Sequence, residues 1–157
     1  MVSGPNANVL AGPSSGLVNV SQRRFVTDSH ATPSDHVELR VPASSAYLAV
    51  LRTAAAGLAA RLDFTLDDIE DLRIAVDEAC ALLLPLATTG AQLTCRFDVQ
   101  EAALQVSVSV PSETAEPPQP GSFAWTVLSA LAGDVDAISS DGAVTLTLRK
   151  SRAVHDA

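Results

Sequence analysis

The stretch LDFTLDDIEDLRIAVDEACALLL, Leu62 to Leu84, decides the fold. Within it Leu66, Ile69, Leu72, Val76, Ala79, Cys80 and Leu83 recur at three- and four-residue steps, which lines them along one side of an α-helix. Thr65 precedes the run and predicts an N-cap whose hydroxyl accepts from the backbone of Asp68. Asp67 and Asp68 set negative charge on the positive end of the helix dipole, and Pro85 helps to end the helix. Glu78 falls nearly opposite the centre of the apolar stripe, and Leu82, one turn further on, shares the side of Glu78. An apolar position off the main stripe predicts a second contact for this helix.

Upstream, Val37, Leu39 and Val41 alternate with Glu38, Arg40 and Pro42, the pattern of a strand with one buried face. Ser44 or Ser45 then caps a helix in which Leu48, Leu51, Ala55, Leu58 and Leu62 form one stripe. Downstream, Leu93, Cys95, Phe97 and Val99, then Leu104, Val106, Val108 and Val110, predict a β-hairpin connected at Gln100 to Ala103. A Pro-rich acidic loop, Pro111 to Gly121, leads to a helix capped by Ser122 and ended near Gly133, with Phe123, Val127, Leu128 and Leu131 facing inward. Trp125 and Phe123 are read as packing residues. Val135 and Ala137 precede an Asp141-Gly142 turn, after which Val144, Leu146 and Leu148 alternate with Thr145, Thr147 and Arg149. Because each strand alternates, one sheet face should lie under helices and the other toward water or a partner. The expected fold is α+β, a two-layer sandwich of a mixed, mainly antiparallel sheet with helices on one face.

Composition bounds the rest. The 157 residues suit one ordinary domain, and a hydrophobic content of 47% against 18% charged can bury a real core. Residues 1 to 35, rich in Gly, Ser, Asn and Pro, are expected to form a flexible tail, 36 to 150 the domain, and 151 to 157 a second tail. Ten Lys and Arg against 18 Asp and Glu give a formal charge of −8, the wrong sign for an autonomous binder of nucleic-acid phosphates. No apolar run approaches the roughly 20 residues that cross a bilayer, and no signal peptide opens the chain, so the expected compartment is the cytoplasm. Cys80 and Cys95 lack CxxC spacing and fit a reduced structural pair. His30, His36 and His155 lie far apart in sequence, so no metal site is expected.

The core D-L-R-I-A-V-D-E-A-C at Asp71 to Cys80, the capped turn at Thr65, and GSFAWTVLSALAGDVDAI at Gly121 to Ile138 resemble the anti-sigma factor and serine-protein kinase family of the histidine-kinase-like ATPase fold. The resemblance spans about Asp35 to Lys150. It implies a domain that binds ATP, dimerises through its sheet side, holds a sigma factor away from RNA polymerase, and phosphorylates an antagonist on serine or threonine. It also implies that Glu78 is the residue that activates the attacking hydroxyl or water, and that Arg52 sits where the family grips both sigma factor and antagonist.

The chain departs from that pattern in three places. Leu82 occupies the position of the magnesium-binding Asn and offers no oxygen to a cation that demands oxygen ligands. PSETAEPPQPG replaces an Asp-x-Gly-x-Gly turn, and proline has neither the N–H that phosphate needs nor access to positive φ. The glycines that open the last helix are reduced to Gly121 beside Ser122, the remaining nucleotide-binding candidates. Phosphoryl transfer depends on positioning phosphates and Mg²⁺, so the losses count against kinase chemistry and leave Glu78 a vestigial catalytic residue. No cofactor is expected, ATP and magnesium being the ones the resemblance would bring.

The expected function is an anti-sigma factor that sequesters an alternative sigma factor and is relieved by an anti-anti-sigma antagonist. Arg52, Asp67 and Asp71 are its partner-binding candidates, and the excess negative charge suits a basic partner. An alternative is an active ATP-dependent serine/threonine kinase of that antagonist. Another is a degenerate ATP-module scaffold for some other partner. A homodimer is expected, with no direct nucleic acid and no membrane.

Overall fold

The computed structural model describes residues 35–113 and 116–154. Residues 1–34 of the expected tail, His30 among them, and also His155 lie outside the described residues. The chain runs β1 (His36–Pro42), α1 (Leu48–Arg61), α2 (Leu66–Leu83), β2 (Gln92–Val99), β3 (Ala103–Pro111), α3 (Phe123–Ala132), β4 (Asp134–Ser140) and β5 (Ala143–Ser151). The strands form one 5-stranded sheet in the order β1-β2-β3-β5-β4. Each neighbouring pair is antiparallel, so the sheet is not mixed. The two helices between β1 and β2 return the chain to the edge from which it left.

Alternation in sequence becomes two sheet faces. Val106 on β3 lies between Phe97 on β2 and Leu148 on β5, and Val108 between Cys95 and Leu146. These side chains are fully buried beneath the helices. The opposite face is polar, where Ser107 meets Thr147 at 3.2 Å and Thr145 donates to Ser109 at 2.9 Å. Hydroxyl pairs of this kind satisfy groups that alternation points away from the core. The β4–β5 turn has Asp141 at φ 53 and Gly142 at φ 74, the left-handed pair that a two-residue hairpin requires.

Over the inner face, α2 packs Leu72, Ala75, Val76, Ala79, Cys80 and Leu83. Beside it α1 buries Leu51, Ala55 and Ala59, and the small side chains on both helices allow close approach. Thr65 caps α2 as its pattern predicts, accepting from the Asp68 N–H at 3.1 Å and donating to the Asp68 carboxylate at 2.9 Å. Ser44 caps a short 3₁₀ turn, Ser45–Tyr47, which leads into α1.

Val37, on the buried side of β1 by its alternation, is 38% exposed at the sheet edge, and two helix residues depart further from their expected places. Leu66 is 84% exposed and Phe123 85% exposed, each being the first residue of its helix. Burial begins only later in each helix, at Leu72 and at Leu128, so period alone does not bury the first residue. Trp125 and Val127 are half-buried, and Leu128 carries the inner face of α3.

Candidate functional site

The site lies on the outer crest of α2 and its seam with α1. On α1, Leu51 points into the core and Arg52, rotated by one residue, emerges on the flank toward α2. On α2, Val76 is buried and Asp77 emerges toward α1. The two meet, with Arg52 donating to the Asp77 carboxylate at 3.4 Å. One turn earlier Arg73 donates to Glu70 at 3.2 Å. With Ile74 and Glu78 these residues line a notch of about 100 Å³. The structure thus brings together Arg52 and Glu78, two residues that the sequence singles out for different reasons.

Glu78 is half-buried and makes no ion pair or side-chain hydrogen bond among the described residues. Leu82, one turn on, is half-buried and packs against the hydrophobic core. Its place is therefore the core margin, not a separate solvent-facing patch, because α2 is overlaid on two sides by α1 and α3.

Asp71 and Asp67 belong to the other end of α2. Lys150, with a side chain only 13% exposed, lies 3.2 Å from Asp68 and 3.4 Å from Asp71. It also donates to the Leu131 carbonyl at 2.8 Å, satisfying a backbone acceptor in the last turn of α3. Asp71 is thus paired with a cation from β5 at a half-exposed position, and Asp67 stands exposed in the first turn of α2. The signal for Lys150 was present in sequence. It continues the inward alternation Val144, Leu146, Leu148 by one further step of two, opposite Leu104.

The residues present do not fit ATP with magnesium. The Leu82 position supplies hydrocarbon packed against the core. In the segment after β3, the Ser112 N–H is bonded to the Gly142 carbonyl and the Pro111 carbonyl to the Thr88 N–H, each at 2.9 Å. Pro117, Pro118 and Pro120 have no N–H to offer. Gly121 takes φ 93, but Ser122 turns its hydroxyl onto the Trp125 N–H at 3.2 Å as the cap of α3. An amide that could face an anion is thereby used within the chain.

Cys80 and Cys95 are free and buried. Burial, with Asp77 adding to it, raises the Cys80 thiol from 9.0 to about 12, and burial raises Cys95 as well. Neither has the thiolate character of a redox or catalytic cysteine. Among the described residues no group of three His, Cys, Asp or Glu is placed to hold a metal ion. Among them, too, no helix is long and apolar enough to cross a membrane.

No protein-family model matches the chain. Among curated proteins it is similar to the anti-sigma-F factor RsbW of Mycobacterium tuberculosis, 37% identical over 124 residues, which are 73% of this chain and 74% of that protein. It is also similar to the serine-protein kinase RsbW of Bacillus velezensis, 38% identical over 82 residues, 50% of this chain and 51% of that protein. Among solved structures the RsbU and RsbW domains of a Mycobacterium tuberculosis protein share the fold, with a TM-score of 0.57 and 15% identity over 77% of this chain and 33% of that one. The expected family and α+β fold are both found. The chain belongs to the RsbW family of anti-sigma factors and serine-protein kinases.

Proposed function

We propose that this protein works by sequestration: it binds an alternative RNA polymerase sigma factor and releases it when an anti-anti-sigma antagonist takes its place. The observation that carries the reading is the seam of Arg52 and Asp77. Arg52 makes a single 3.4 Å contact there and is 38% exposed, so most of the five donors of its guanidinium remain available to a partner. Similarity across 124 residues to a relative named for anti-sigma action supports the sequestration role. Asp67 and Asp71 contribute charge at the far end of α2, with Asp71 paired to Lys150 at 3.4 Å. The uncovered polar sheet face is the surface through which we expect a second copy to bind, and the cytoplasm is the compartment where sigma factors act.

The kinase reading is weaker on this chain. Phosphoryl transfer is almost wholly positioning of phosphates and metal, and the segment that would position them is proline-rich and internally bonded. The test is a pair of measurements on the purified full-length chain. One is its binding to an alternative sigma factor with and without ATP and Mg²⁺. The other is transfer of radiolabelled phosphate to the antagonist. Nucleotide-independent binding with no transfer is expected; label on the antagonist would replace this reading with the enzyme.

A further inference from the structure

We infer that the notch on the crest of α2 receives one basic side chain of the sigma factor, with Glu78 as the carboxylate that accepts it. This rests on the sequestration reading. Of the charged groups lining the notch, Arg52 and Arg73 are cations, and Glu70, Asp77 and Glu78 are carboxylates. Arg52 is bonded to Asp77 and Arg73 to Glu70, so the two cations are neutralised and Glu78 is the charge left over. The notch is therefore acidic by one unit, in a chain whose formal charge is already −8. A cation entering it meets the attraction of Glu78, the one lining charge without an opposite partner.

Size and chemistry narrow the occupant further. About 100 Å³ is well below the roughly 300 Å³ at which small-molecule sites begin, and it suits the end of one Lys or Arg side chain. Ile74, 43% exposed on the same wall, gives the methylene stem of such a side chain apolar surface to lie along. Arg52 beside it remains free to bond a carboxylate of the same partner. The notch thus presents a donor and an acceptor side by side, which fixes orientation as well as attraction. On this inference Glu78, the position of a catalytic carboxylate in the family pattern, acts here as a docking group.

The experiment compares the full chain with Glu78→Gln against a purified alternative sigma factor, by stopped-flow association at several salt concentrations and by zero-length carbodiimide cross-linking. Glu78→Gln is expected to slow association about two- to five-fold, to flatten its salt dependence, and to abolish a cross-link between residue 78 and a sigma-factor lysine. Glu78→Arg is expected to cost about ten-fold or more, through like-charge repulsion. Unchanged rates and salt slope in Glu78→Gln, with Arg52→Glu still weakening the complex, would overturn the docking role and leave the sequestration reading standing. Unchanged binding with loss of phosphate transfer to the antagonist would also overturn it, by making Glu78 the catalytic base. No complex with the unsubstituted chain would remove both readings together.

Discussion

Arg52 on α1 and Asp77 on α2, 25 residues apart in sequence, hold one another at 3.4 Å across the helix seam. Both are more than a third exposed, so screening leaves the pair with little stabilising effect. Its meaning is orientation: Asp77 fixes one edge of the guanidinium and turns the remaining donors outward. Arg52→Ala is therefore expected to change the free energy of unfolding by no more than about 1 kcal/mol in urea titration. The same substitution should weaken the sigma-factor complex several-fold. A loss of several kcal/mol in stability would make the pair a structural one instead.

Lys150 should behave in the opposite way. It is nearly buried between Asp68, Asp71 and the Leu131 carbonyl, so Lys150→Met leaves a half-buried Asp68 without its cation and strips the last turn of α3 of a donor. A cost of about 2–4 kcal/mol is expected in equilibrium unfolding, shifted down from the about 3–5 kcal/mol of a fully buried pair because Asp71 is 41% exposed. Asp71→Asn should cost about 1 kcal/mol or less, since Asp68 still holds Lys150.

Thr65 is tied to Asp68 twice, through the backbone N–H and through the carboxylate. Thr65→Ala removes the cap of the central helix and is expected to destabilise by about 1–2 kcal/mol. Ser122→Ala makes the same chemical change on the shorter α3, with only the Trp125 N–H as partner, and should fall near the low end of that range. Thermal unfolding of the two variants ranks them.

The thiols give a pH dependence. Cys80 is raised from 9.0 to about 12 by burial, so below pH 9 native and unfolded chains both keep the proton and its contribution is complete. Above pH 9 the unfolded chain loses the proton while the native chain holds it, and stability falls as pH climbs toward 12. Cys95 adds in the same direction. Replacing both cysteines with Ala should flatten that alkaline decline in denaturant titrations. At pH 8 a thiol reagent should label neither residue in the native protein and both in denaturant.

Leu82→Asn restores the oxygen that the family pattern places on α2. It is expected to cost about 1–2 kcal/mol, because Leu82 packs against the core margin. It should not raise affinity for ATP and Mg²⁺ in calorimetry, since the bonded, proline-rich segment after β3 is unchanged. Tight nucleotide binding by this variant would mean that one residue alone had closed the site.

The elements themselves were legible because their signals are local. A period of two or of 3.6, a Thr65 or Ser122 cap and an Asp141-Gly142 turn each depend on residues a few positions apart, and each element is found where it was read. The exposure of Leu66 and Phe123 is not legible for the same reason, since period assigns a side of a helix but cannot say at which turn its burial begins. The tertiary structure alone decided which sides face which. It set the strand order, drew Lys150 to Asp71 across 79 residues, and put Arg52 and Glu78 on one notch. Those pairings follow from how three helices share one apolar sheet face, and no local dihedral preference carries that information.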